Sequence, residues 1–140
     1  MPLKFNTRQA QQLTGIRREQ LRHWRKVLPP LIGRDGRSDL YEFSEVIGLA
    51  VIESIVGQMG IAVSRLEACA QDIFAIIAEG LESSSLPPVL HLSDDGSVSV
   101  DAPTTGIAYC VINVPRVVEK VQDGLAPDAR KQLRLPLLNV

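Results

Sequence analysis

A short segment near the N-terminus is enclosed by two sequences that break helices, and this limits what the chain folds into there. Gly15, which adopts a positive φ at low cost, precedes the segment, and Pro29-Pro30 follows it. The sequence between them predicts a helix that begins at Arg17 or Arg18 and ends at about Val27. A helix this short depends on the packing of one of its faces for its stability.

The faces of this helix differ in character. An apolar stripe at helical spacing consists of Leu21, Trp24 and Leu28. A basic stripe on another face consists of Arg18, Arg22 and Arg25. A shorter helix is predicted before it, over about residues 8–13, with Asn6 or Thr7 as its N-cap. The sequence thus predicts two helices joined by a tight glycine turn, the second of them basic on one side and apolar on the other.

Charge is divided unevenly along the chain. Residues 1–41 carry nine lysines and arginines against three acidic residues, a net charge of +6, whereas residues 42–140 carry −7. This division predicts a basic module that meets a polyanion, attached to an acidic body with another task. Asp35-Gly36, which lies between Arg34 and Arg37, predicts a tight hairpin and places a basic loop after the basic helix.

Helix, glycine turn, basic helix and basic hairpin follow one another in the order of a winged helix-turn-helix. In that arrangement the second helix fits the major groove of DNA, where the base edges present distinguishable donors and acceptors. The hairpin, or wing, reaches the flanking backbone, and its arginines add affinity that carries no sequence information. The interpretation is a module that binds double-stranded DNA.

The same residues resemble the MerR-type transcription regulators. The segments that carry the resemblance are Phe5-Asn6-Thr7 to Leu13-Thr14-Gly15-Ile16, Leu21-Arg22-His23-Trp24, Tyr41-Glu42-Phe43-Ser44-Glu45-Val46, and Gly60-Ile61-Ala62-Val63 through Leu66. They span about residues 4–75. The resemblance implies promoter control in a bacterium or a bacterial mobile element, by repression or by DNA distortion. The expected location is cytoplasmic and nucleoid-associated. Because one recognition helix offers few base contacts, we expect a homodimer on a pseudo-palindromic operator.

The predicted DNA contacts belong to the basic helix and the hairpin. The resemblance implies phosphate contacts from Arg22 and the hairpin arginines, and base contacts from the start of the helix. The predicted DNA-binding residues are Arg17, Arg18, Arg22, His23, Arg25, Lys26, Arg34 and Arg37. Arg17 stands where the family often has a capping serine, and it cannot cap. Asp39 stands where the family has a wing arginine, so Arg37 is expected to compensate.

The middle of the chain predicts two further helices, both apolar over wide faces. One follows Ser44 as its N-cap and ends between Gly57 and Gly60. The other covers residues 63–78 and ends at Gly80. Residues 82–88, with three serines and two prolines, are the one linker-like stretch and predict a domain boundary.

After this stretch the sequence predicts a β-β-β-α unit. Strands over residues 89–92 and 97–100 flank a turn, and residues 107–114 are apolar enough for a buried central strand. A helix over 117–121 and a last helical turn over 127–133 follow. The predicted class is α+β, with a MerR-like winged helix-turn-helix domain over 1–80, a linker over 81–88 and a small β-rich C-terminal domain over 89–140.

The sequence lacks the motifs of enzymes and metal sites. It has no glycine-rich phosphate loop, no GxSxG or HExxH and no close set of histidine, aspartate and cysteine, so we expect no enzyme activity, metal or cofactor. Cys69 and Cys110 are expected to be small buried hydrophobic residues in a reducing compartment. No apolar run reaches the length of a membrane span, so no membrane partner is expected.

The predicted function is sequence-specific DNA binding by a MerR-like transcription regulator, in which residues 89–140 serve dimerisation, effector binding or a protein contact. Two alternatives stay open on the sequence alone. One is an adaptor whose winged domain binds an acidic protein partner instead of DNA. The other is an architectural DNA-binding factor for recombination, segregation or packaging. A steep salt dependence of binding distinguishes both kinds of DNA binder from the adaptor.

Overall fold

A computed structural model describes residues 4–34, 40–104 and 106–125. Its helices are α1 (Thr7–Thr14), α2 (Arg18–Val27), α3 (Phe43–Glu53), α4 (Ala70–Glu82) and α5 (Val114–Asp123). Its strands are β1 (Lys4–Phe5), β2 (Tyr41–Glu42), β3 (Val89–Ser93), β4 (Val98–Ser99) and β5 (Tyr109–Asn113). Helices with two small antiparallel sheets, β1-β2 and β4-β3-β5, make the α+β class that the sequence predicts. The hairpin predicted at Asp35-Gly36, Arg37 and the turn over 127–133 lie outside the described residues.

Capping fixes where the first two helices begin. The Asn6 side chain accepts a hydrogen bond from the Gln9 backbone at 2.8 Å, and the Gln9 side chain accepts one from the Asn6 backbone at 2.9 Å. Gly15, at φ 79°, ends α1 and turns the chain toward α2. Although Arg17 offers no acceptor, the Gln20 side chain accepts from the Arg17 backbone at 3.0 Å. The start of α2 is therefore capped by the side chain of Gln20, a residue of the helix itself.

α3 is the central element of the molecule. Its side chains from Val46 to Ile52 are buried, and α1, α4, α5 and β2 all pack against it. The N-cap is Glu42, not the predicted Ser44, because the Glu45 side chain accepts from the Glu42 backbone at 2.9 Å. α3 ends at Glu53 and continues as a π-helical turn over Ser54–Gln58, so the chain leaves the helix close to the predicted glycines.

The helix predicted over 63–78 is divided, and its end is displaced. A 3-10 turn over Val63–Leu66 precedes α4, which continues to Glu82. Gly80 does not end the helix. It is buried within α4, and a Cβ there would lie 3.0 Å from the Leu86 Cα atom. The Ser85 backbone also donates to the Gly80 carbonyl at 2.8 Å, so the glycine permits the chain to fold back closely against the helix.

The C-terminal part has the predicted β-β-β-α order, but the prediction of its central strand was wrong. β3 lies between β4 and β5, so β5 is an edge strand in the described sheet. Tyr109 and Val111 are 50% and 49% exposed, because only alternate β5 residues point into the core. Ile107, which the sequence placed in this strand, precedes β5 and is 99% exposed. α5 follows β5 directly, and the Asn113 side chain caps it by accepting from the Arg116 backbone at 3.2 Å.

The parts of the chain before and after residues 82–88 contribute to one buried core. α5 packs against α3 and α1, and its inward side chains Val114, Val118 and Val121 belong to the same cluster as the residues of α3. The division into separate domains stays a prediction, and the described residues on its two sides share apolar contacts. No helix in the described ranges is long and apolar enough to cross a membrane.

Candidate nucleic-acid interface

The inner face of α2 fixes the direction of its outer face. Leu21, Trp24 and Leu28, the predicted apolar stripe, are at most 2% exposed. α2 packs against the Val63–Leu66 turn and against the 3-10 turn Pro29–Leu31 that follows it. A short helix anchored along its whole length in this way cannot rotate about its axis, so its outward side chains have defined positions.

The outward face of α2 is basic. Its exposed side chains are Arg18, Glu19, Arg22, His23 and Lys26. Arg18, Arg22 and Lys26 are four residues apart, so they lie in a line about 12 Å long at 1.5 Å rise per residue. Within the described ranges these three form no ion pair. Glu19 is the one acidic side chain on this face, which leaves a net positive surface.

Arg17 is the N-cap of α2 and directly precedes the helix. Its side chain is exposed, and its Nε atom donates to the Gln20 side chain at 3.4 Å. Its charge also reaches Glu53 at the end of α3. Burial raises the pKa of the Glu53 carboxyl above its usual 4.5, while Lys120 and Arg17 act in the opposite direction. Arg17 is therefore exposed at the start of α2 and lies within electrostatic range of Glu53.

Arg25 points away from this surface. Its guanidinium donates to the Tyr41 hydroxyl at 3.3 Å and to the Thr7 hydroxyl at 3.3 Å, and the side chain is half-buried. These bonds connect α2 to the start of α1 and to β2. The structure therefore separates Arg25 from Arg18 and Arg22, with which the sequence grouped it.

Arg34 is held at the base of the predicted hairpin. It forms an ion pair with Glu45 at 2.8 Å and donates to the Leu40 carbonyl at 2.7 Å. Its guanidinium also lies 4.8 Å from the centre of the Tyr41 ring. Because Glu45 also accepts from the Glu42 backbone, the start of α3 and the end of the preceding loop share one anchor.

The structure thus divides the predicted DNA-binding residues into groups. Arg18, Arg22, His23 and Lys26 are brought together on the exposed side of α2, and Arg17 is exposed at its start. Arg25 and Arg34 bond to the protein, and Arg37 lies outside the described residues. Sequence reasoning missed the roles of Gln20 and Glu45. Both stand three residues after an N-cap, which is the spacing of a capping box and the signal that finds them. No sequence pattern indicates that Tyr41 accepts from Arg25.

The two cysteines and His91 lie away from the α2 surface. Cys69 is buried as expected, whereas Cys110 is only half-buried. Burial raises the pKa of the Cys69 and Cys110 thiols, which keeps them protonated at neutral pH. The Nδ1 atom of His91 lies 3.1 Å from the Val100 carbonyl, and its ring lies against Tyr109. No group of three or more histidine, cysteine or acidic side chains in the described part of the chain is arranged to hold a metal ion.

No protein-family model matches this chain, and the comparisons with curated proteins and with solved structures found no match either.

Proposed function

We propose that the protein is a sequence-specific DNA-binding transcription regulator of MerR-like type, with α2 as the recognition helix of a winged helix-turn-helix. The observation that carries the proposal is the line of Arg18, Arg22 and Lys26 on the outward face of a helix whose inner face is fully buried. These cations are positioned by the fold and are not neutralised by ion pairs within the described residues. A polyanion is the partner that such a surface favours.

The dimensions of α2 suit the major groove of DNA. A ten-residue helix is about 15 Å long, and the major groove is about 12 Å wide, so the helix inserts along most of its length. Arg17 and Arg18 at its start face the bases in this arrangement, and Arg22 and Lys26 contact phosphates. Arg34 then acts by positioning the loop that follows, because its guanidinium is bound to Glu45 and Leu40.

A salt series with the full chain tests the proposal. Fluorescence anisotropy with a labelled random duplex is expected to show log affinity falling steeply with log salt, because each phosphate contact releases counterions. The variant Arg18→Ala/Arg22→Ala is expected to bind about tenfold or more weakly and to flatten the slope by about one to two units. Its matched control is Arg65→Ala/Lys120→Ala, which removes two exposed cations outside α2.

The control separates a specific surface from net charge. If both variants lose affinity equally, binding depends on overall charge and α2 is not the recognition helix. If the unmodified protein shows no salt-dependent binding below about 100 mM salt, DNA binding is wrong and an acidic protein partner is favoured. Selection from a random oligonucleotide pool then distinguishes a regulator, which enriches one sequence, from an architectural factor, which enriches none.

A further inference from the structure

β5 presents an open edge of the C-terminal sheet. It pairs along one side with β3, and no other described strand pairs with its opposite side. Natural edge strands are usually protected from pairing by charged side chains, prolines or bulges. The β5 sequence, Tyr109-Cys110-Val111-Ile112-Asn113, contains no charged residue and no proline.

The hydrogen-bond pattern shows which backbone groups face this edge. The Asp94 backbone donates to the Ala108 carbonyl at 3.1 Å, and the Val114 backbone donates to the Pro88 carbonyl at 3.3 Å. Antiparallel strands bond through alternate residues, so the even-numbered residues between these two bond to β3. The backbone N–H and C=O groups of residues 109 and 111 and the N–H of residue 113 therefore point toward the open edge, while the carbonyl of residue 113 begins α5.

We propose that a second copy of this chain pairs with β5 through β5, antiparallel, about a two-fold axis at Val111. This register places Val111 opposite its own counterpart and Tyr109 opposite Asn113 of the second copy. The outward groups of Tyr109 and Val111 and the N–H of Asn113 are then available, while the Asn113 carbonyl, at the N-cap of α5, already accepts the first bond of that helix. This gives about four hydrogen bonds between the strands and one continuous six-stranded sheet. Such a contact is isologous and closes on itself, as a two-fold dimer requires.

Side chains and charge support this occupant and this direction. Tyr109 and Val111 lie on the outer face of the sheet and are about half exposed, so pairing brings apolar groups together across the axis. Asp94 lies beside the Gly106 end of β5, and Arg116, which is exposed and forms an ion pair with Glu119 at 2.9 Å, follows its other end. Antiparallel pairing brings Asp94 of one copy near Arg116 of the other, whereas parallel pairing would bring like ends together.

The inference rests on the proposed function in supposing that two copies act together on one site. The strand pairing is nevertheless measured without DNA. A failure of the pairing leaves DNA binding by α2 untouched, and a failure of DNA binding leaves the pairing untouched.

The first experiment measures the mass of the full chain in solution. Sedimentation equilibrium is expected to show a dimer, and Val111→Lys is expected to raise the dissociation constant by about tenfold or more because like charges then lie directly opposite. Val100→Lys is the matched control, since Val100 is 43% exposed and directly follows β4, at the edge of the sheet opposite β5. A monomeric parent protein overturns the proposal. The proposal is also overturned if Val100→Lys dissociates the dimer and Val111→Lys leaves it intact.

The second experiment tests the register and does not depend on a destabilising change. In a Cys110→Ser background treated with an added thiol oxidant, which takes up the two electrons, Val111→Cys is expected to form a disulfide between copies. The reason is that opposed residues have Cα atoms about 5.5 Å apart. Tyr109→Cys is the control, since its counterpart lies about 14 Å away, which is too far for a disulfide. Cys69 is buried and stays unreactive. The register is overturned if the two variants cross-link equally, or if Val111→Cys does not cross-link at all.

Discussion

The fold partly removes the Glu53 carboxylate from water, which is energetically unfavourable for its charged form. This carboxyl lies between the end of α3 and the turn that follows, and its Oε2 atom has no hydrogen-bond partner among the described residues. Burial raises its pKa above 4.5, so the folded protein keeps this proton to a higher pH than the unfolded chain does. The free energy of unfolding therefore falls as the pH rises from 4.5 through the raised value.

Replacing this carboxyl is expected to stabilise the protein at neutral pH. Glu53→Gln removes a partly buried charge that solvent still screens. It is therefore expected to raise the free energy of unfolding at pH 7 by only about 0.5 kcal/mol or less, with no gain below pH 4.5. Urea unfolding followed by the fluorescence of Trp24 measures the change at both pH values. Glu119→Gln, at an exposed ion pair with Arg116, is the control and is expected to give no gain. An equal gain for Glu53→Gln at pH 4 would show that charge burial is not the cause.

At the scale of residues, the sequence predicted side chains that obey helical spacing and missed those that meet across the fold. Leu21, Trp24 and Leu28 are buried as predicted because their positions follow from one helix alone. Arg25 shares the spacing of Arg18 and Arg22, but Tyr41 and Thr7 lie within reach of it and draw it inward. That contact joins residues far apart in sequence, and no local pattern contains it.

At the scale of elements, Gly48 sets how closely α3 and α4 approach. A Cβ at Gly48 would lie 3.0 to 3.2 Å from carbon atoms of the Phe74 ring, which is tighter than ordinary packing. Gly48→Ala is expected to lower the free energy of unfolding by about 1 kcal/mol, since the crowding exceeds the gain in helix propensity. Chemical denaturation measures the loss.

A smaller side chain on α4 is expected to relieve the crowding. In a Phe74→Leu background, Gly48→Ala is expected to be neutral or stabilising, because the ring that it meets is absent and the propensity gain remains. If Gly48→Ala lowers the free energy of unfolding equally in both backgrounds, the contact with the Phe74 ring is not the cause of the loss.

Elements were predicted with unequal success for a physical reason. Strands and helices were found where turn residues and caps delimit them, as at Asn6 and Gly15. The position of a strand within its sheet was not predicted correctly. An apolar run is equally typical of a central strand and of an edge strand whose outer face is apolar. β5 is the second kind, with Val111 on its exposed face. Gly80 was read as a helix end because its close approach to Leu86 is a tertiary contact.

At the scale of the whole molecule, the shared core has a measurable consequence. Because α5 packs against α3 and α1, the parts before and after residues 82–88 are expected to unfold in a single transition. Native-state hydrogen exchange checks this, since the amides of α3 and the β3 amides bonded to β5 are expected to exchange with the same free energy of opening. Protection of α3 that exceeds that of β3 by more than about 2 kcal/mol would show two independent domains.

The direct passage from β5 into α5 has a consequence for how such a protein would read DNA. No loop separates the strand from the helix, and the helix rests on the same core that holds α2. In two copies joined at β5, the distance between the two α2 helices would be fixed, because no flexible linker separates them from the paired strands. The separation of the two half-sites would then be measured by the protein's own architecture, and lengthening the operator by a single base pair would put the second half-site out of phase and out of reach.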